Sequence, residues 1–342
     1  MIKIVNIKDI AEKAGVSIAT VSHVINKTRY VSENLTLKVN SVIEELNYTP
    51  NLVAASLRKK YTSIIGVVVS DASFPVIAEL VNNIDKNISI HGYDIVLTST
   101  FYSVAKEKRI LNDLISKRVD GIIIFPENRN PNQINKIIES GIPVVVIDRM
   151  IPEIKADSIW LDGKKIGYEV TKYLISLGHK TIVLLDRIVD ISHNIALREG
   201  FIEALSDSKI KIKEDLIIRC KGGGFIDGYK IAKSLLKHSN NITSFIARSD
   251  FQAIGALRAI NESGLKVPYD ISLVGYSDSD ICDYVTPRLS SIHYPVEKIA
   301  KLATDLLLMR IKNKYNEKIK IISVAQDFII RESIAKVNIN RL

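Results

Sequence analysis

From Thr62 onward the chain alternates short apolar runs with amphipathic stretches, and this rhythm limits the fold more than any other feature of the sequence. Ser63 to Val69, Asp94 to Thr98, Gly121 to Phe125 and Pro143 to Ile147 read as buried strands, with helices beginning near Pro75, Val104 and Pro131 between them. The rhythm resumes with Thr181 to Leu185, Leu216 to Arg219, Ser244 to Ala247 and Ile271 to Val274. Strand-helix alternation of this kind predicts an α/β fold, and two successive runs predict two doubly wound parallel-sheet subdomains. The crossover is expected near Ser158 to Gly163, with returns through Ser290 to Ile292 and near Ile319 to Val324.

The first 50 residues follow a different rule, a helical period. Asn6 can cap a first helix, with Asp9 near its positive end. Ile7, Ile10, Ala11 and Ala14 then share one buried face, and Gly15 can take the left-handed conformation that ends the helix sharply. Ser17 can cap a second helix, on which Val21, Val24 and Ile25 face inward and Ile18, Ala19, Ser22, His23 and Asn26 face outward. These outward side chains are small or hydrogen-bonding, which suits a helix lying in the major groove of DNA. A third helix, capped by Ser32 and apolar at Leu35, Val39, Val42 and Leu46, completes a small all-α head.

Charge points the same way. The chain carries a formal net charge of +9, and in the head Lys3, Lys8, Lys13, Lys27, Arg29, Lys38, Arg58, Lys59 and Lys60 outweigh Asp9, Glu12, Glu33, Glu44 and Glu45. Such an excess favours a polyanionic partner. The two cysteines, Cys220 and Cys282, have no metal-type spacing, so neither a disulfide framework nor a metal site is expected, and a reducing cytoplasm fits. No signal-peptide pattern and no membrane-length apolar run is evident, so no membrane partner is expected.

The run Ala14-Gly15-Val16-Ser17, followed by Thr20-Val21-Ser22 and Val24-Ile25-Asn26, resembles the head of the lactose-repressor (LacI/GalR) family of bacterial transcription regulators. Val21 to Tyr30 is most similar to the purine and ribose repressor branch, and the likeness continues through Ile43 to Asn51 and Ala54 to Leu57. Lys117 to Gly121, Gly141-Ile142-Pro143, Ile147-Asp148-Arg149, Leu177-Gly178-His179, Arg198 to Phe201 and Val274-Gly275-Tyr276 extend it to a periplasmic-binding-protein-like body. The resemblance implies a helix-turn-helix head at 1–50, a hinge helix and linker at 51–61, and a two-lobed effector-binding and dimerisation core at 62–342. The N-lobe then takes about 62–161 and 293–322, and the C-lobe about 162–292 and 323–342. It also implies a homodimer on a pseudo-palindromic operator, with Ser17, Ile18, Ala19, Thr20, Ser22, His23, Asn26 and Tyr30 at the DNA and Leu57 wedged into the minor groove.

In doubly wound sheets, ligands sit beyond the carboxyl ends of the strands. Strand ends, matched to the family, nominate Phe74, Asp148, Asn194, Arg198, Ser249, Asp250, Ser277 and Asp278 as effector-binding. Arg198 is the foremost of these, because a guanidinium fork can hold two oxygens of one ligand; an ion pair within the fold is the plainer role. Trp160 reads as a partly buried crossover residue rather than a stacking platform. The chain departs from the family at Phe74-Pro75-Val76-Ile77, at Ser249 and at Ser277, and Gly223 stands where a phenylalanine would stack on a purine. The head therefore points to one branch while the pocket points away from it. A sugar or sugar derivative is the expected effector, with the sign of its action open.

Gly222-Gly223-Gly224 lacks the rest of a phosphate-loop signature and reads as a strand-to-helix turn. No nucleophile-base pair or paired catalytic carboxylates stand out, so neither an enzyme nor a cofactor is expected. The alternatives are a solute-binding protein, opposed by the basic head and missing export signal, and a regulator governed by a partner protein rather than a small ligand.

Overall fold

A computed structural model describes residues 5–48, 61–127, 130–187, 192–220, 222–238, 241–313 and 318–337, without the side chains of 187, 192–194 and 313. The chain divides into two compact units, residues 1–62 and 63–342.

In the first unit, α1 (Ile7–Ala14), α2 (Ile18–Asn26) and α3 (Glu33–Glu45) enclose a small core of Ile10, Ala11, Ala14, Val21, Val39 and Val42. The start of α1 is a reciprocal capping box. The Asn6 side chain accepts from the Lys8 and Asp9 amides, and the Asp9 carboxylate accepts from the Asn6 amide at 2.8 Å. Gly15 ends α1 at φ 62°, so the chain turns without the cost a side chain would meet there. Ser17 caps α2 by accepting from the Thr20 amide at 3.0 Å. Two readings are corrected. Ser32 stands at the N-cap of α3 but makes no side-chain capping bond, and Leu35 is exposed because it lies off the face that meets Ile10 and Val21.

The second unit holds two six-stranded sheets. In chain order its elements are β1 (Ile64–Val69), α4 (Pro75–Ser89), β2 (Asp94–Ser99), α5 (Val104–Ser116), β3 (Gly121–Ile124), α6 (Asn132–Glu139), β4 (Val144–Ile147) and β5 (Asp157–Leu161). There follow α7 (Gly163–Ser176), β6 (Ile182–Arg187), α8 (Ser192–Asp207), a 3₁₀ turn, β7 (Ile217–Cys220), α9 (Phe225–His238), β8 (Ser244–Ala247), α10 (Asp250–Glu262) and β9 (Ser272–Ser277). The last are α11 (Ile281–Tyr284), β10 (Ser290–His293), α12 (Val296–Asn313), β11 (Ile321–Val324) and β12 (Phe328–Ile329). One sheet runs β11-β5-β4-β3-β1-β2, the other β12-β10-β9-β8-β6-β7.

The segments expected as crossovers are themselves strands. Asp157–Leu161 forms β5 in the first sheet, Ser290–His293 forms β10 in the second, and Trp160 sits half-buried within β5. The second sheet is not wholly parallel, because β12 runs antiparallel to β10 as the returning chain closes its edge. Between these, α12 packs against α4 and the strands β3, β4 and β5. A buried ion pair locks that return: Arg310 on α12 grips both carboxylate oxygens of Asp157 at 2.8 and 2.7 Å, while the Lys320 amide donates to the same carboxylate at 2.7 Å.

Central strands such as β3, β4 and β8 are buried on both faces, as parallel strands covered by helices must be. In the second lobe, α9 and α10 approach until backbone meets backbone. A methyl at Gly228 would strike the Gln252 carbonyl, and one at Gly255 the Phe225 carbonyl, so only glycine permits this crossing.

Candidate functional site

In both sheets the chain's first strand lies between its second and third, in the orders β2-β1-β3 and β7-β6-β8. Loops leaving such neighbours diverge to opposite faces and open a crevice at the carboxyl ends of the strands. A cavity of about 110 Å³ lies there. From the first lobe come Ser70, Asp71 and Phe74 after β1, Phe125 after β3, and Asp148 with Arg149 after β4. From the second come Gly223, Arg248 and Ser249, then Tyr276, Ser277 and Tyr294. A water needs roughly 10–15 Å³ of such space, so the cavity suits a compact ligand.

The chemistry of the cleft mixes aromatic walls with buried charge. Arg248 is 7% exposed, and its guanidinium lies 4.8 Å from the centroid of the Tyr276 ring. Arg149 is turned into the first lobe, where it donates to the Pro126 carbonyl at 2.6 Å and stands 3.8 Å from the Glu127 carboxylate. Glu127 in turn accepts from the Thr100 hydroxyl at 2.7 Å. Burial pushes the Asp148 carboxyl up to about 6, against the pull of Arg149 and Arg248. Burial likewise raises the Tyr276 and Tyr294 phenols, with the nearby Asp148 charge adding to both. Tyr294 is 5% exposed, and its hydroxyl has no hydrogen-bond partner among the described residues. A phenol that lines a cavity with its hydroxyl unmatched is a ready contact for a ligand.

Of the residues nominated from strand ends, the structure brings Phe74, Asp148, Ser249 and Ser277 to the cleft. Asp148 and Ser277 take positive φ, 63° and 120°, which turns the backbone sharply as each strand ends. Ser249 is also the N-cap of α10: its hydroxyl accepts from the Gln252 amide at 3.0 Å and donates to the Gly223 carbonyl.

Three other nominations, Arg198, Asp250 and Asp278, make polar contacts within the fold. Arg198 donates to Asp186 at 2.5 Å, an ion pair inside the second lobe. Asp250 is tied at 2.6 Å to the Ser291 hydroxyl and at 2.9 and 2.7 Å to the Ser279 amide and hydroxyl, which pins α10 to the loop after β9. Asp278 pairs with Arg331 at 2.7 Å and His293 at 3.0 Å. The side chain of Asn194 lies outside the described residues.

Arg248, Tyr276 and Tyr294 line the cleft without having been nominated from the strand ends. The signal for Arg248 was available: a lone arginine directly after the apolar run Ser244–Ala247 stands at a strand end. Gly222 to Gly224 does lie in the β7-to-α9 turn, and Gly223 lines the cleft. His179 is structural, its Nε2 within 3.0 Å of the Ala335 carbonyl, and burial lowers its pKa. Among the described residues no cluster of His, Cys, Asp or Glu is arranged to hold a metal, and no helix is long and apolar enough to cross a membrane.

On the head, Ile18 is 43% exposed, and Ala19 is exposed beside it. Thr20, Ser22 and His23 are half-buried rather than fully outward. Local bonds explain this. The Thr20 hydroxyl lies 2.9 Å from the Ser17 hydroxyl, the Asn26 amide donates to the Ser22 carbonyl at 2.8 Å, and His23 Nδ1 lies 2.9 Å from the Thr28 hydroxyl. Tyr30 is 87% exposed, and Leu57 lies outside the described residues.

Residues 62–332 match the periplasmic binding proteins and sugar binding domain of the LacI family, and residues 6–51 match the bacterial regulatory proteins of the lacI family. The chain is 35% identical over 334 residues to the HTH-type transcriptional repressor PurR of Proteus mirabilis (strain HI4320), covering 96% of each. It is also 35% identical over 332 residues to PurR of Pasteurella multocida (strain Pm70), covering 96% of this chain and 98% of that one. Among solved structures it is similar to the lac repressor dimer bound to operator and the anti-inducer ONPF, with a TM-score of 0.81 and 27% identity over 97% of this chain and 100% of that one. It is similar, too, to a LacI family regulator from Enterococcus faecium with bound ribose, at a TM-score of 0.70 and 28% identity over 80% of this chain and 100% of that one. With a capped helix-turn-helix ahead of two switched sheets, and with both segments matched, the chain belongs to the LacI family, as a DNA-binding transcriptional repressor with a ligand-binding domain.

Proposed function

We propose that the protein is an operator-binding homodimer whose affinity for DNA is set by a compact carbohydrate bound in the cleft between its lobes. The cleft carries this reading. Phe74, Phe125, Tyr276 and Tyr294 offer faces for the apolar side of a sugar ring, and Asp148, Ser70, Ser277 and the Tyr294 hydroxyl offer polar partners for its hydroxyls. The bound ribose in the Enterococcus faecium regulator, a protein similar to this chain, supports the same class. Those aromatic faces also favour a second reading, a planar nucleobase, which the experiment below separates from the first.

In the head, α2 is the element assigned to the major groove, with Ile18, Ala19, Ser22, His23 and Asn26 as its reading face and Ser17, Thr20 and Tyr30 beside it. One such helix makes too few contacts for tight specific binding, so two copies are needed on one operator, as in the lac repressor dimer. The lobes supply the switch. A ligand that bridges them favours one lobe arrangement, and because linkage is reciprocal, operator DNA must change ligand affinity by the same factor.

The test is fluorescence anisotropy of the full chain on a palindromic duplex across a salt series, repeated with pentoses, hexoses and nucleobases. Specific affinity should fall steeply with salt and shift with a sugar. A shift produced only by nucleobases establishes the second reading. Operator affinity that no small molecule changes overturns both.

A further inference from the structure

We propose that Gln326 is a positioning residue for the ligand response: its side-chain amide ties the Tyr276 ring of the cleft to the chain segments that pass between the lobes. The inference rests on the cleft being the effector site and names the residue that carries its occupancy to those segments.

The chain passes between the two sheets three times, from β5 to β6, from β10 to β11 and from β11 to β12. Gln326 stands in the short link of the last passage, between Val324 and Phe328. Its side chain is buried, and Nε2 donates to the Tyr276 hydroxyl at 2.8 Å and to the His293 carbonyl at 3.2 Å. A carbonyl can only accept, so His293 fixes which end of the amide faces the ring. His293 ends β10, where the second passage begins, and its amide donates to the Asp327 carbonyl at 2.8 Å. Gln326 also borders a second cavity with Asp162 and Ile166, which follow β5 on the first passage. One side chain therefore stands where the three passages converge.

Tyr276 joins this point to the cleft. Its ring lines the cleft 4.8 Å from the Arg248 guanidinium, and the carbonyl of the next residue, Ser277, accepts from the Tyr294 amide at 3.2 Å. A ligand that presses on this wall moves a hydroxyl bonded to the link. Two lobes change their angle by altering φ and ψ in the segments that join them. Tyr276 belongs to β9 within the second sheet, whereas Gln326 rides on the link, so the bond between them differs from one lobe arrangement to the other. The Gln326 Oε1 is buried with no partner among the described residues, a cost that a side chain serving only to fill space avoids.

Fluorescence anisotropy of the full chain on a palindromic duplex, with and without ribose, glucose, adenine or guanine, gives the factor by which each compound changes operator affinity. Q326M keeps the bulk and removes both donors, while Y276F removes the bond from its other end and keeps the ring. Each should bring that factor closer to one by roughly threefold to tenfold, the worth of one neutral hydrogen bond. The double variant should do no more than Q326M alone, because Y276F then has no bond left to remove. Unfolding midpoints are measured alongside, since a residue that only supported the fold would lower the midpoint and leave the factor as it was. If Q326M does not fold, Y276F decides. A factor unchanged in a folded variant overturns this inference and leaves the cleft reading intact. Additive effects in the double variant overturn the route through Tyr276. A parent chain that responds to none of the four compounds overturns the cleft reading, and this inference with it.

Discussion

Arg198 on α8 donates to the Oδ2 of Asp186 on β6 at 2.5 Å, and Asp186 is fully buried. This contact holds α8 to the sheet. R198M should destabilise the chain by about 3–5 kcal/mol, because it leaves a buried carboxylate without its cation. The double variant R198M/D186N should recover much of that loss. Urea denaturation measures both, and an R198M protein as stable as the parent would contradict the role given to the pair.

Stability should depend on pH through Asp148, which Arg149, Arg248, Tyr276 and Tyr294 surround. Its folded pKa is raised from 3.8 to about 6, so the folded chain binds the proton more tightly than the unfolded chain does. The contribution of the protonated group is present at low pH and is lost as pH rises through that window. D148N removes the titration, and asparagine tolerates the positive φ of 63° at this position. Relative to D148N, the parent should lose up to about 3 kcal/mol between pH 4 and pH 7, at about 1.4 kcal/mol per unit. A stability difference that does not change with pH would refute the assignment.

Gly228 and Gly255 let α9 and α10 meet through their backbones. Neither obstructing carbonyl is the end of a flexible side chain, so G228A or G255A must push the helices apart. Each should cost about 3 kcal/mol, the upper end of ordinary overpacking. Thermal unfolding measures the loss. G264A is the control, because a methyl there meets nothing within 4 Å and only the φ of 77° is strained.

The His23 ring is held at 2.9 Å from the Thr28 hydroxyl, on the helix assigned to the major groove. H23A should cost roughly 1–3 kcal/mol of operator affinity and relax preference at one base position. Binding to a library of operator variants distinguishes this from a phosphate contact, whose loss would weaken all sequences alike and lower the salt slope.

Much of the architecture was legible because its signals are local. Asn6, Asp9, Gly15 and Ser17 mark the helix ends of the head by short-range bonds and by one left-handed residue. Apolar runs such as Gly121 to Phe125 and Ser244 to Ala247 mark strands buried on both faces. β12 escaped notice, since two residues carry no period. Phe74, Asp148, Ser249 and Ser277 were found as cleft residues by one rule, that ligands meet the carboxyl ends of parallel strands.

That rule locates a backbone position, and it cannot say where a side chain points. Asp250 follows Ser249 directly, yet it turns inward to Ser279 and Ser291, while Arg198 is claimed by Asp186. Conversely, Tyr294 reaches the cleft from beyond β10, and Arg248 reaches it because Tyr276 supports its guanidinium. The sequence by itself determined the head, the strand rhythm and the strand ends from which a ligand site must be built, because these depend on neighbours a few residues apart. Only the tertiary structure decided which charges pair with one another and which side chains line the cleft. Asp157 and Arg310 stand 153 residues apart, and their pairing depends on how the whole chain returns.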